Sequence, residues 1–261
     1  MDRKLEKIAR AGYVAKGSIY AITGILTLLA ALNLGGQKTG QNQVLEYLDT
    51  QPFGNALLIL LGLGLVGYSI WRFAQAISDT ENLGSDKKAK FQRLAYFISG
   101  CSYLILGVLA FMQLMEMGSS GGSEEKSSFL ATNTGLSFLG IVGGIFIGRG
   151  LYQFLRMKSR KFLRKFESGT MIDKKRRKII KNSAYMGLTS RGILFTIIGY
   201  FFLYAALTSN PSEVKDTKEV FSFLEEQAYG PWLLGFVAAG LVGYSIFTFM
   251  MARFRDFNGG E

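Results

Sequence analysis

Six stretches of this chain carry no charged side chain: Ala21–Leu34, Pro52–Trp71, Leu94–Met115, Ala131–Gly148, Gly192–Asn210 and Gly230–Ala252. With its flanks, each reaches about 20 residues, the length an α-helix needs to cross roughly 30 Å of hydrocarbon. A soluble core would break such runs into stripes of period 2 or 3.6. The expected fold is therefore an all-α integral membrane protein with six transmembrane helices. The first run follows Lys and Arg near the N-terminus, as a cleaved signal would. Its pattern recurs later in the chain, so it is read as a span.

Basic residues set the expected orientation. Of 30 Lys and Arg, 26 fall in the N-terminal segment through Lys16, in Arg72–Arg93, in Arg149–Arg191 and at the C-terminus; the alternate segments hold only Lys38, Lys126, Lys215 and Lys218. Short segments rich in Lys and Arg stay cytoplasmic, so both termini are expected there. This asymmetry accounts for the net charge of +11, and nucleic acid is not expected as a partner.

The heptapeptide GLVGYSI occurs twice, at Gly64–Ile70 and Gly240–Ile246. Aligning the chain with itself gives three copies of a two-helix unit. Each first helix carries two glycines seven residues apart (Gly17 and Gly24, Gly100 and Gly107, Gly192 and Gly199) and an aromatic three residues after the first of them: Tyr20, Tyr103 and Phe195. Seven residues is close to two turns, so the glycines share a face that admits another helix. Each second helix begins near a glycine (Gly54, Gly135, Gly230) and ends in GYSIWRF, GRGLYQF or GYSIFTF. The repeats are placed at 9–83, 92–156 and 184–256, with a basic amphipathic connection at 157–183. Two spans per copy bring every copy into the membrane the same way round, which predicts a pseudo-three-fold axis along the membrane normal.

ARAGYVAKGSIYAITG (Ala9–Gly24), QPFGNALL (Gln51–Leu58) and GLVGYSIWRFAQAISD (Gly64–Asp79) resemble a bacterial membrane family, domain of unknown function 1206, built of three tandem two-helix repeats. The resemblance implies an integral protein of the bacterial cytoplasmic (inner) membrane. It brings no activity, substrate or cofactor.

Candidate chemistry is sparse. With no His and a single Cys, Cys101, the usual zinc and haem sites and His-dependent nucleophilic catalysis have no ligands or bases. No Walker A, dinucleotide fingerprint or paired catalytic carboxylates occur, so neither an enzyme nor a cofactor is expected. Lys16 and Arg191 align at the start of the odd helices, and Asp79 and Asp256 just after the even ones, which allows ion pairs Lys16–Asp79 and Arg191–Asp256. Arg149 replaces Tyr68 and Tyr244 of the other copies, and is expected to snorkel to the interface or else to line a polar cavity. Gly140, Gly144 and Gly148 form a small-residue ladder expected to pack inside the molecule. The cations Lys174, Lys175, Arg176, Arg177 and Lys178, within an apolar-interleaved stretch, suit anionic lipid headgroups. Val44, Leu45 and Leu48, and likewise Val220, Phe221 and Leu224, predict short surface helices. The Gly/Ser-rich segment GSSGGSEEKSS (Gly118–Ser128) reads as a loop. The leading functional expectation is a non-enzymatic scaffold or partner subunit, with a membrane-protein partner or a homo-oligomer. The alternative is a small channel or carrier with a central pathway between the repeats.

Overall fold

A computed structural model describes residues 3–81, 83–115, 132–159, 161–166 and 168–257. Among these no strand forms, and six helices are long and apolar enough to cross a membrane: α1 (Arg3–Ala31), α3 (Gly54–Ile77), α4 (Lys87–Leu114), α5 (Asn133–Ser159), α7 (Lys174–Leu207) and α9 (Gly230–Phe254). The protein is an all-helical multi-pass membrane protein. The Gly118–Ser128 segment lies outside the described residues.

Helix starts follow local chemistry. Asp86 accepts the Ala89 amide at the head of α4 (2.8 Å), and Asp173 accepts those of Lys175 and Arg176 at the head of α7 (2.9 and 3.1 Å). Such caps satisfy amides that have no partner within the helix. At 1.5 Å per residue, the 34 residues of α7 span about 51 Å, so its basic first turns project beyond the hydrocarbon.

The surface helices form where the apolar spacing predicts them, as α2 (Gln41–Asp49) and α8 (Thr217–Glu225), and they bury the six expected side chains. A capping box starts α8: Asp216 Oδ1 accepts the Glu219 amide and Glu219 Oε2 accepts the Asp216 amide. A five-residue helix, α6 (Ser168–Ile172), lies within the basic connection on the opposite side.

The glycine pairs explain how the spans come together. A Cβ on Gly24 would lie 2.8 Å from the Val242 amide nitrogen and 3.0 Å from the Ala238 carbonyl. On Gly199 it would lie 2.7 Å from the Gly143 carbonyl and 2.7 Å from the Ile147 nitrogen; on Gly107 it would meet Val66 and the Gly62 carbonyl at 3.1 and 3.4 Å. The first glycines each face a phenylalanine ring instead: Gly17 meets Phe249, Gly100 meets Phe73, and Gly192 meets Phe154. These rings are the last residues of GYSIFTF, GYSIWRF and GRGLYQF. One contact set thus recurs at α1–α9, α4–α3 and α7–α5, each joining a first helix to the second helix of another copy.

Within a copy the packing differs. A Cβ on Gly12 would lie 2.5 Å from the backbone of Tyr68, joining α1 to α3, and one on Gly187 would lie 2.5 Å from that of Tyr244, joining α7 to α9. The matching residues of the middle copy are Ala95 and Arg149. There α4 and α5 scarcely touch, so the helices run in an arc α4–α3–α1–α9–α7–α5. A methyl and a guanidinium replace the glycine–tyrosine approach, and the seam stays open.

The ladder Gly140, Gly144, Gly148 does not pack as expected. Nothing lies within 4 Å of a Cβ added to Gly144 or Gly148, and Gly140 approaches only Ala206, at 3.7 Å. The residues that admit α7 are Gly143 and Gly150, on another face of α5. This sorts the glycines. Gly24→Leu and Gly199→Leu are expected to lower thermal stability in detergent by at least about 1–3 kcal/mol, the usual effect of overpacking a tight contact. Gly144→Leu and Gly148→Leu should leave it unchanged; a loss comparable to that of Gly199→Leu would place their faces at a contact.

Candidate functional site

Lys16 sits mid-helix in α1, and the bundle encloses it, with only 3% of its surface exposed. Its Nζ donates to the Tyr68 hydroxyl (2.9 Å) and lies 4.6, 5.1 and 5.3 Å from the ring centroids of Tyr68, Tyr103 and Tyr244. Arg191 is 5% exposed, with its guanidinium over Tyr244 (4.3 Å), Phe195 (4.9 Å) and Tyr20 (5.3 Å). Arg72 donates to the Tyr68 hydroxyl (2.5 Å) and to Gln75 Oε1 (2.8 Å), and lies over Tyr68 and Tyr96. The Tyr68 oxygen therefore accepts from two cations at once. Arg149 lies over Phe195 (5.1 Å), one turn along α7 from Arg191 and towards the α2–α8 side.

No carboxylate among the described residues joins this group. The described spans contain one acid, Glu6, in the first turn of α1 and paired with Arg10. Lys16, Arg72, Arg149 and Arg191 are gathered over neighbouring rings of this group. Ring faces attract a desolvated cation by about 2 kcal/mol or more, which offsets part of a burial cost of several kcal/mol per ion. Four like charges remain in one interior.

The polar column runs on to the side that carries both termini, where the acid sits. Glu81, just past α3, binds Lys165 through Oε2 and Arg255 through Oε1 (2.5 Å), and accepts from Gln75 and Tyr96. Arg255 also donates to the Tyr13 hydroxyl (2.5 Å) and lies among the rings of Tyr13, Trp71 and Phe257. Despite its own burial, Glu81 is held well below the usual carboxylate range by Lys165 and Arg255. Burial brings the Lys165 ammonium down to about 7, against the pull of Glu81. Arg10 donates to the carbonyls of Ala252 and Arg253 (2.7 and 2.8 Å), closing the end of α9 onto α1.

The two expected ion pairs do not form. Asp79 instead accepts the amides of Leu83 and Gly84 (2.9 Å each), as a turn residue with positive φ does. Asp256 lies beyond α9, where its amide donates to the Lys165 carbonyl, more than three turns from the Tyr244 that faces Arg191. Arg149 is half-buried, with its guanidinium over the Phe195 ring of the neighbouring α7. The exposed side chains of Lys174, Lys175, Arg176, Arg177 and Lys178 occupy the first turns of α7, where the helix dipole disfavours cations. Arg176 pairs with Asp173 (3.1 Å) and lies over Phe254. Part of the connection's apolar face turns into the protein: Phe162 and Phe166 are buried against Phe247. Lys16, Arg72, Arg149 and Arg191 belong to the 26 basic residues of that side, and the 22 left without them still outnumber four.

The Glu81 cluster carries a pH signature. An acid whose native pKa is depressed adds stability above its ordinary value, near 4.5, and loses it as pH falls. Thermal stability in detergent is expected to hold down to about pH 5 and to fall progressively below it. Glu81→Gln should lower it by about 3–5 kcal/mol at neutral pH, as breaking a buried pair does, and should flatten the acid dependence. A variant as stable and as pH-sensitive as the parent would remove Glu81 from this role.

Comparisons with known proteins agree with this architecture. The family model described as Domain of Unknown Function (DUF1206) matches residues 11–79 and 186–255. These two segments contain the paired helices α1–α3 and α7–α9, and leave out the copy with the open seam. The uncharacterized protein YxxB of Bacillus subtilis (strain 168) is 30% identical over 253 residues, covering 96% of this chain and 91% of its own. No solved structure matches the chain. The match of both outer helix pairs, together with a relative alike over nearly its whole length, makes this chain a member of the DUF1206 family.

Proposed function

We propose that this protein is a non-enzymatic membrane protein that binds anions in its interior and passes them across the bilayer. The observation that carries the reading is the group of Lys16, Arg72, Arg149 and Arg191, set among aromatic rings and joined by no carboxylate among the described residues. Intramembrane charges are costly and mark ion or substrate pathways when they face a bundle interior. At an effective dielectric near 20, one cation 4 Å from an anion gains about 4 kcal/mol, and here several would act together. A scaffold needs no such group, and no contact in the molecule specifically favours that role.

The recurring glycine–phenylalanine contact supports three copies arranged about a pseudo-three-fold axis, with the cations near it. The excess of basic residues on one side supports cytoplasmic termini in the bacterial cytoplasmic membrane. The exposed cations of Lys174–Lys178 suit anionic headgroups there.

The test is flux from liposomes holding the purified full-length chain. Chloride should leave loaded vesicles when a potassium ionophore balances charge, and potassium should stay when no ionophore is present. Lys16→Met, close in shape and uncharged, should slow chloride by at least about tenfold, the equivalent of 1.4 kcal/mol. Chloride release no faster than from empty vesicles, or unaltered by Lys16→Met, would overturn the reading.

A further inference from the structure

Beside Arg191 lies a small cavity of about 20 Å³ between α1, α7 and α9, bordered by the first residues of α2 and α8, Gln41 and Thr217. It is lined by Tyr20, Thr23 and Arg191 on its polar side and by Leu194, Ile198 and Leu241 on its apolar side. Two of its polar groups have no partner inside the protein: Arg191 Nε and Thr23 Oγ1, on residues 5% and 1% exposed. The Tyr20 oxygen accepts from Gln41 Nε2 at 2.8 Å, and the Tyr103 hydroxyl is 3.4 Å away, too long to hold the Tyr20 proton firmly. Three groups able to donate, Arg191 Nε–H and the hydroxyls of Thr23 and Tyr20, thus line one small cavity, and the Arg191 guanidinium also lies over the rings of Tyr20, Phe195 and Tyr244. Asp216, which precedes Thr217 in the chain, accepts from the Glu219 amide and from Gln43 Nε2 (2.9 and 3.0 Å).

We propose that this cavity is a binding site for one monovalent anion of halide size, held by Arg191 Nε–H and the hydroxyls of Thr23 and Tyr20. The volume suits a body the size of a water molecule and excludes tetrahedral oxyanions and carboxylates. The hydroxyls of Thr23 and Tyr20 can serve a water as well as an anion; the guanidinium, with an unpartnered N–H and no carboxylate beside it among the described residues, is what selects an anion. The inference deepens the anion reading above by naming the ligand class and the first residues it meets from the α2–α8 side.

The test is thermal stability of the full-length protein in detergent, titrated with sodium chloride or bromide against sodium gluconate at equal ionic strength. Chloride and bromide should raise the melting temperature saturably, and gluconate should not. Thr23→Val, which keeps the volume and removes the hydroxyl, should weaken the halide response at least several-fold while the protein stays folded in gluconate. Arg191→Gln should abolish the response. Identical curves in halide and gluconate, or a Thr23→Val titration equal to the parent's, would overturn the site. The two readings separate cleanly: liposome flux without halide stabilisation rejects this cavity and keeps the pathway, and halide stabilisation without flux does the reverse.

Discussion

Desolvating Lys16 and Arg191 is the constraint around which the rest of the bundle is organised. Both sit inside membrane-spanning helices, and neither meets a carboxylate among the described residues. Each is instead faced by three aromatic rings, drawn from helices that must all reach the same point: Tyr20 from α1, Tyr68 from α3, Tyr103 from α4, Phe195 from α7 and Tyr244 from α9. Edge-to-face packing of Tyr68 on Tyr103 and of Tyr20 on Tyr244, with centroids 4.7 and 4.8 Å apart, fixes the rings so that their faces stay turned to the cations. Loosening any of these helices would leave a charge in hydrocarbon.

That arrangement requires helix backbones to come close, and the glycines permit it. Gly12 and Gly187 bring Tyr68 and Tyr244 beside α1 and α7, and the seven-residue pairs bring in the second helix of another copy. The middle copy departs from this at one place. Ala95 and Arg149 stand where the others have glycine and tyrosine, so α4 and α5 part, and the cation that replaces a ring adds to the interior charge rather than neutralising it.

Much of this was legible in sequence. Six charge-free runs gave six spans, and apolar spacing placed α2 and α8 with the right buried side chains. The site was only partly legible. Lys16 and Arg191 stood out by alignment, but they were matched with Asp79 and Asp256 because a cation's obvious partner is an acid. The true partners are rings, and tyrosines in a membrane helix read as ordinary apolar residues. The face shared by Tyr13, Lys16 and Tyr20, at spacings of three and four, was the available signal. Glu81, Lys165 and Arg255 were not legible at all, since 84 and 174 residues separate the acid from its partners and only the folded chain joins them. The Gly140 ladder misled because small residues also occur on faces that nothing touches.

The interior cations meet no counter-charge among the described residues, and a small anion is proposed to match them. Bromide scatters anomalously at an accessible X-ray edge, so crystals of the membrane protein grown in bromide report its position without any assay of function. The account predicts an anomalous peak in the cavity bounded by Arg191, Thr23 and Tyr20, within about hydrogen-bonding reach of the guanidinium, and its loss in Arg191→Gln crystals. Bromide peaks only at the exposed surface, with the cavity dry or occupied by water, would contradict it.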